Sequence, residues 1–156
     1  MISKTYASKI LNTLFSTSSS SSYTISPSSA VYLGLCASEP DRATGALTDA
    51  GEPSAIASYE RKKVGGTQTE IQYFGISSNT GVITNSGEIQ MKTARENYPA
   101  KMNYWFLTTN GVKGTGSAIL WGEIKDSDGN TGIVVSTATV PTFYEGELKA
   151  SIDVEL

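Results

Sequence analysis

The sequence predicts an all-β protein: an antiparallel β-sandwich, jelly-roll or Ig-like, with a short N-terminal helix. Three observations carry that expectation. Residues 31–36, Val-Tyr-Leu-Gly-Leu-Cys, form an apolar run with Ser and Pro punctuation around it. At a period of two, Val31, Leu33 and Leu35 face one side, and Tyr32, Gly34 and Cys36 the other. Both faces are apolar or small, which marks a strand buried on both sides near the middle of the fold. Downstream, short alternating runs recur with turn residues between them. Finally, 39 of the 156 residues are Ser or Thr and only 17% are charged, a composition suited to short strands and polar turns.

Taken in order, Tyr6, Ile10, Leu11, Leu14 and Phe15 recur at helical spacing, so residues 1–16 are expected to form an amphipathic helix. Lys9, Asn12 and Thr13 interrupt its apolar run, which argues against a signal peptide, and no stretch has the length of a membrane span. Residues 17–28 form a Ser-rich linker, and the seven nearly all-Ser residues Ser16 to Ser22 reach roughly 15 Å. The sandwich domain is expected over residues 29–156. Within it, residues 39–53 read as a long acidic loop, and such loops are either functional or mobile. Residues 57–63 read as a strand with Tyr59 and Arg61 on one side. Residues 69–76 alternate with Ile71 and Tyr73 inward, and Val82-Ile83 begins another element. Residues 88–92 alternate with Ile89 and Met91 inward.

A hairpin follows. Met102, Tyr104 and Phe106 alternate with Asn103, Trp105 and Leu107, and Asn110-Gly111 supplies a turn signal. Ala118, Leu120, Gly122 and Ile124 are expected on one face of the return strand, opposite Ile119 and Trp121. Residues 126–130 make another turn before a strand at 133–137. In the last strand Leu148, Ala150, Ile152, Val154 and Leu156 face the core, against Lys149, Ser151, Asp153 and Glu155.

The chemistry is limited by what is missing. With no His, the sequence lacks the commonest general base and zinc ligand. One cysteine, Cys36, cannot form an internal disulfide and reads as a small buried hydrophobe. A net charge of −3 argues against a phosphate-neutralising surface, and Arg61-Lys62-Lys63 reads as a solvated strand end. The Gly-rich residues 111–117 lie between strands, away from the helix N-terminus that cradles phosphate. Asp126, Asp128 and Asn130 have alternate calcium-loop spacing, but Gly129 comes too early and no acidic residue closes the loop, so a turn explains them. Glu39, Asp41, Asp49 and Glu52 share one loop without a scaffold to fix two carboxyls across a cleft, and are expected to be solvated. Tyr98, Tyr104, Trp105 and Trp121 could form a platform for sugar rings, although strand aromatics more often pack in cores.

The order of these motifs resembles a family of small tailed-bacteriophage virion proteins described as tail-fibre-like or capsid decoration proteins. The resemblance rests on the N-terminal helix, Val31-Tyr-Leu-Gly-Leu-Cys36, the acidic loop, Ser58-Tyr-Glu-Arg61, Ile83-Thr-Asn85 with Glu88-Ile89, and Ala118-Ile-Leu-Trp-Gly-Glu123. It implies a β-sandwich fixed to a phage particle, made in the host bacterial cytoplasm, with no cofactor, catalysis, nucleic acid or membrane. Tyr59 and Arg61 match the family's Tyr-x-Arg element, and Trp121 and Gly122 its Trp-Gly element. These four, with Tyr32 and Gly34, are expected to be structural. Arg61 is expected to bury its stem and bond loop carbonyls.

The leading functional expectation is a capsid decoration, or cement, protein on the outer surface of the shell. Its partners would be the major capsid protein or other virion proteins, engaged as a homo-oligomer such as a trimer. Tyr6, Ile10, Leu14, Phe15, Glu39, Asp41 and Asp49 are the expected contacts. The alternative is a tail fibre or adsorption component recognising host-surface carbohydrate. A secreted carbohydrate-binding module is a third reading, for which a signal peptide would be expected.

Overall fold

The computed structural model describes residues 30–65, 74–76, 82–126 and 128–151. Among them are nine strands and no helix: β1 (Val31–Cys36), β2 (Lys62–Gly65), β3 (Phe74–Ile76), β4 (Val82–Asn85), β5 (Ile89–Gln90), β6 (Tyr104–Thr108), β7 (Leu120–Glu123), β8 (Thr142–Phe143) and β9 (Lys149–Ser151). Every pairing is antiparallel. A four-stranded sheet runs β2-β1-β6-β7, a three-stranded sheet β3-β4-β9, and β5 pairs with β8. The expected N-terminal helix, the Ser-rich linker, and Ile71, Tyr73, Ile152, Val154 and Leu156 lie outside the described residues.

The apolar run at 31–36 is an inner strand, because both of its faces find cover. Leu33 and Leu35 enter the main core with Trp105 and Leu107 of β6, Leu120 of β7, Ile89 of β5, Phe143 of β8 and Ala150 of β9. The opposite face forms a second core, where Cys36, Phe106 and Trp121 meet Ala118 and, from the 39–53 loop, Leu47 and Ala50. Loop side chains therefore contribute to burying this face. Burial pushes the Cys36 thiol far above its ordinary value, with the charge of Glu52 as a second cause.

Strand β6 packs an aromatic ring against a glycine on each of its faces. Gly34 is the β1 partner of Phe106, and a Cβ added there would lie 2.2 Å from the Phe106 ring. Gly122 is the β7 partner of Trp105, and a Cβ there would meet both the Trp105 indole, at 2.8 Å, and the Lys149 carbonyl oxygen of β9, at 2.2 Å. Two large rings fit into a tightly hydrogen-bonded sheet because the neighbouring strands have no side chain at those positions.

Several boundaries differ from the pattern in the sequence. Residues 57–61 are not strand: turns closed by Ile56 N–H on Pro53 O and Tyr59 N–H on Ile56 O delay β2 until Lys62. Asn110-Gly111 does not close a tight hairpin, since β7 begins only at Leu120. Ala118 lies before β7 and joins Trp121 in the second core, away from Leu120 and Ile124. Met102 joins the main core while Phe106 joins the second; ahead of β6, Met102 makes an isolated bridge to Ile133 outside the named strands. That bridge and the Tyr98 N–H bond to Val135 O stand where the sequence suggested a strand at 133–137. Alternation is a poor guide where pairing stops, because nothing then holds the pleat.

Asn85, at the end of β4, is fully buried and fully bonded. Its Nδ2 donates to Gly87 O and Tyr144 O, its Oδ1 accepts Leu148 N–H, and its backbone bonds both Leu148 and Gly146. One amide side chain thus fixes the turn leading into β9, a role that the alternation of the sequence does not reveal.

The glycine–aromatic pairing predicts the response to a single methyl group. Gly34→Ala should destabilise the protein by about 1–3 kcal/mol, the usual range for overpacking, measured by denaturant unfolding. Combining it with Phe106→Leu should cost less than the sum of the two changes; strict additivity would show that the ring does not limit position 34.

Candidate functional site

The densest polar constellation is built from Glu52 at the end of the long loop, Tyr59 and Arg61 before β2, and the 110–115 loop between β6 and β7. The Arg61 and Glu52 side chains are 0% and 2% exposed. Their forks match: Nε donates to Oε1 and Nη2 to Oε2, both at 2.7 Å. Arg61 Nη1 also donates to Asn110 O at 2.7 Å and Nη2 to Thr115 O at 3.0 Å. Its guanidinium carbon stands 5.2 Å from the centre of the Phe106 ring.

Glu52 is as well satisfied. Beyond Arg61 it accepts the Tyr59 hydroxyl at 3.0 Å and Gly114 N–H at 2.7 Å. The Tyr59 oxygen in turn accepts Leu35 N–H at 3.0 Å, two residues beyond the last β1–β2 partner, Leu33↔Lys62. The phenol thereby takes up a backbone donor of β1 where β2 no longer runs alongside. Tyr59 also meets Tyr98 edge to face, with ring centres 5.7 Å apart. Burial raises the Tyr59 phenol well above its ordinary value of 10.0, and the Glu52 charge adds to the shift.

The loop above is held on all sides. Lys113 Nζ donates to Ile56 O at 2.5 Å and Tyr59 O at 3.0 Å. Asn110 Oδ1 accepts Val112 N–H, and its Nδ2 donates to Thr115 Oγ1. Gly114 and Gly116 adopt positive φ, which accounts for two of the glycines in this segment as backbone requirements. Arg61 and Glu52 present no acid or base to solvent. The arrangement ties loops together and displays the loop tip, where Val112 is 63% exposed.

The expected site residues are scattered over the fold. Tyr32 is half-buried, and its ring would meet a Cβ placed on Gly111. Trp121 is buried and donates its indole N–H to Glu39 Oε1 at 3.2 Å, while Glu39 also pairs with Arg42. Asp41 closes its own turn, accepting from the Thr44 hydroxyl and amide and from Ala43 N–H. Those bonds, the Thr44 hydroxyl first, hold its carboxyl below the usual range. Asp49 is exposed, whereas Tyr6, Ile10, Leu14 and Phe15 lie outside the described residues.

Asp126 likewise serves its own turn: it accepts Asp128 N–H, Asn130 N–H and the Asn130 side-chain amide. Asn130 is the main cause of its lowered pKa. Among the described residues, no three His, Cys, Asp or Glu are grouped to hold a metal ion. The four aromatics do not form a platform, since Trp105, Trp121 and Tyr98 are buried and only Tyr104 is half-exposed. The three buried rings fill space inside the fold, and Tyr104 packs partly against the second core.

The sequence reading misplaced Glu52, and also Arg61 where it put Arg61-Lys62-Lys63 at a solvated strand end, since both side chains are buried. An acid beside Pro53 in a loop without periodicity reads as solvated, and only the folded chain brings Arg61 to it. Lys113 carried no signal either.

A family model described as podophage GP4 fiber I protein gp80 matches residues 1–149 of the chain. No curated protein matches it.

Arg61→Ala should lower stability by about 3–5 kcal/mol, because it leaves the Glu52 carboxylate buried without its cation. Arg61→Lys should restore only part of the loss, since an ammonium cannot reproduce the fork. A melting temperature unchanged in either variant would refute the anchoring role. Tyr59 sets an alkaline limit. Its folded pKa lies above the unfolded one, so its contribution is complete below pH 10.0 and is lost as pH rises through the folded value. Melting temperatures measured from pH 8.0 upward should fall above about pH 10 more steeply than in Tyr59→Phe, which has no proton to lose.

Proposed function

We propose, from the premise that this chain belongs to the podophage GP4 fiber I protein family, that it is a structural component of the phage tail fibre. The observation that carries the proposal is the extent of the match, residues 1–149 of 156. The family description favours the fibre reading over the shell-bound decoration protein that the sequence also suggested. The fold suits such a role. Its most elaborate polar cluster is spent on joining loops, and its acidic turn residues Asp41 and Asp126 bond their own backbone. The reading is therefore of a building block without catalysis, its partners being other proteins of the particle and further copies of itself. The apolar positions Tyr6, Ile10, Leu14 and Phe15, and the exposed Asp49, remain the proposed contacts. A glycan platform made of Tyr98, Tyr104, Trp105 and Trp121 forms no part of the proposal, because three of these rings are buried.

Position and copy number test this directly. Gold-labelled antibodies on purified particles should mark the tail, with far fewer copies than the major shell protein by quantitative mass spectrometry. Label spread over the shell, at copy numbers comparable to the shell protein, would overturn the fibre reading and restore decoration.

A further inference from the structure

We infer that Asn110 is a site of spontaneous covalent modification: deamidation through a cyclic imide with Gly111. Asn110-Gly111 is the only Asn-Gly step in the sequence, and the loop holding it is half-exposed at Asn110 and exposed at Gly111. Gly111 carries no side chain of its own beside the attacking backbone nitrogen, and the one ring packed against it is that of Tyr32. No backbone hydrogen bond among the described residues uses the Gly111 N–H. The electrophile is placed too, since Val112 N–H donates to Asn110 Oδ1 at 2.8 Å, where negative charge develops as Cγ is attacked. The Nδ2 bond to Thr115 Oγ1 at 2.9 Å keeps the carboxamide in that orientation.

The step balances without oxidant or metal. Gly111 N loses its proton to solvent base and bonds to Asn110 Cγ; the Cγ–Nδ2 bond breaks and ammonia leaves. Water then opens the imide at either carbonyl, giving aspartate or isoaspartate and one added negative charge. The isoaspartate product has a consequence peculiar to this fold. It routes the main chain through the former side-chain carbon and displaces the Asn110 carbonyl that accepts Arg61 Nη1 at 2.7 Å. Ageing at this residue thus loosens one of the bonds that Arg61 makes to the loop. The other described asparagines lack the combination. Asn85 is buried and fully bonded, while Asn97, Asn103 and Asn130 precede Tyr98, Tyr104 and Thr131.

The test is peptide mapping of the full-length folded protein after incubation at mildly alkaline pH, with isoaspartate scored by mass spectrometry. Asn110 should convert about tenfold or more faster than Asn130, as a placed donor and a following residue without a side chain require. The aged protein should lose melting temperature, and Asn110→Gln aged in parallel should keep the value it had when fresh. The inference is overturned if Asn110 converts no faster than Asn130. It is equally overturned if Asn110 converts about tenfold more slowly in the folded chain than in urea, for the loop would then shield it.

Discussion

The buried Arg61–Glu52 pair is the interaction on which the arrangement of loops depends. A desolvated ion pair is costly unless every remaining donor and acceptor is used, and here nearly all are. Glu52 takes four hydrogen bonds, and Arg61 gives two to Glu52 and two to loop carbonyls, with Phe106 close to its guanidinium. Because those partners come from three separate stretches of chain, the pair can be satisfied only when all three are in place. It therefore specifies a single loop arrangement, whatever its net contribution to stability.

The reason for such a device lies in the central strand. A strand apolar on both faces must be covered on both. One face of β1 is covered by side chains from the other strands, the other partly by Leu47 and Ala50 of the 39–53 loop. A loop has no ladder to hold it, so its position must come from side chains. Glu52 anchors its end through Arg61 and Tyr59, and Glu39 ties its start to Trp121. Asn85 performs a comparable service for the turn before β9.

This economy is consistent with membership of a phage fibre family. The polar side chains of the Arg61–Glu52 cluster are turned toward one another and toward the protein's own backbone. The exposed apolar positions Val112, Val134, Val140 and Tyr144 all lie outside the named strands. A rigid sheet with loops fixed by side chains can carry surface residues of varied kind without refolding.

The all-β, antiparallel character and the inner strand could be read from the amino acids alone, because a period of two with two apolar faces has few other outcomes. The sequence also placed the inward residues Ile89, Met91, Leu148 and Ala150, all buried. Only the tertiary structure decided where pairing stops, that Glu52 is buried while Asp49 is exposed, and that Gly34 and Gly122 sit against aromatic rings. The physical reason is range. Alternation is written in neighbouring residues, whereas Glu52 meets Gly114, and Asn85 meets Leu148, across 62 and 63 positions of chain. Contacts of that separation exist only once the sheets have brought the loops together.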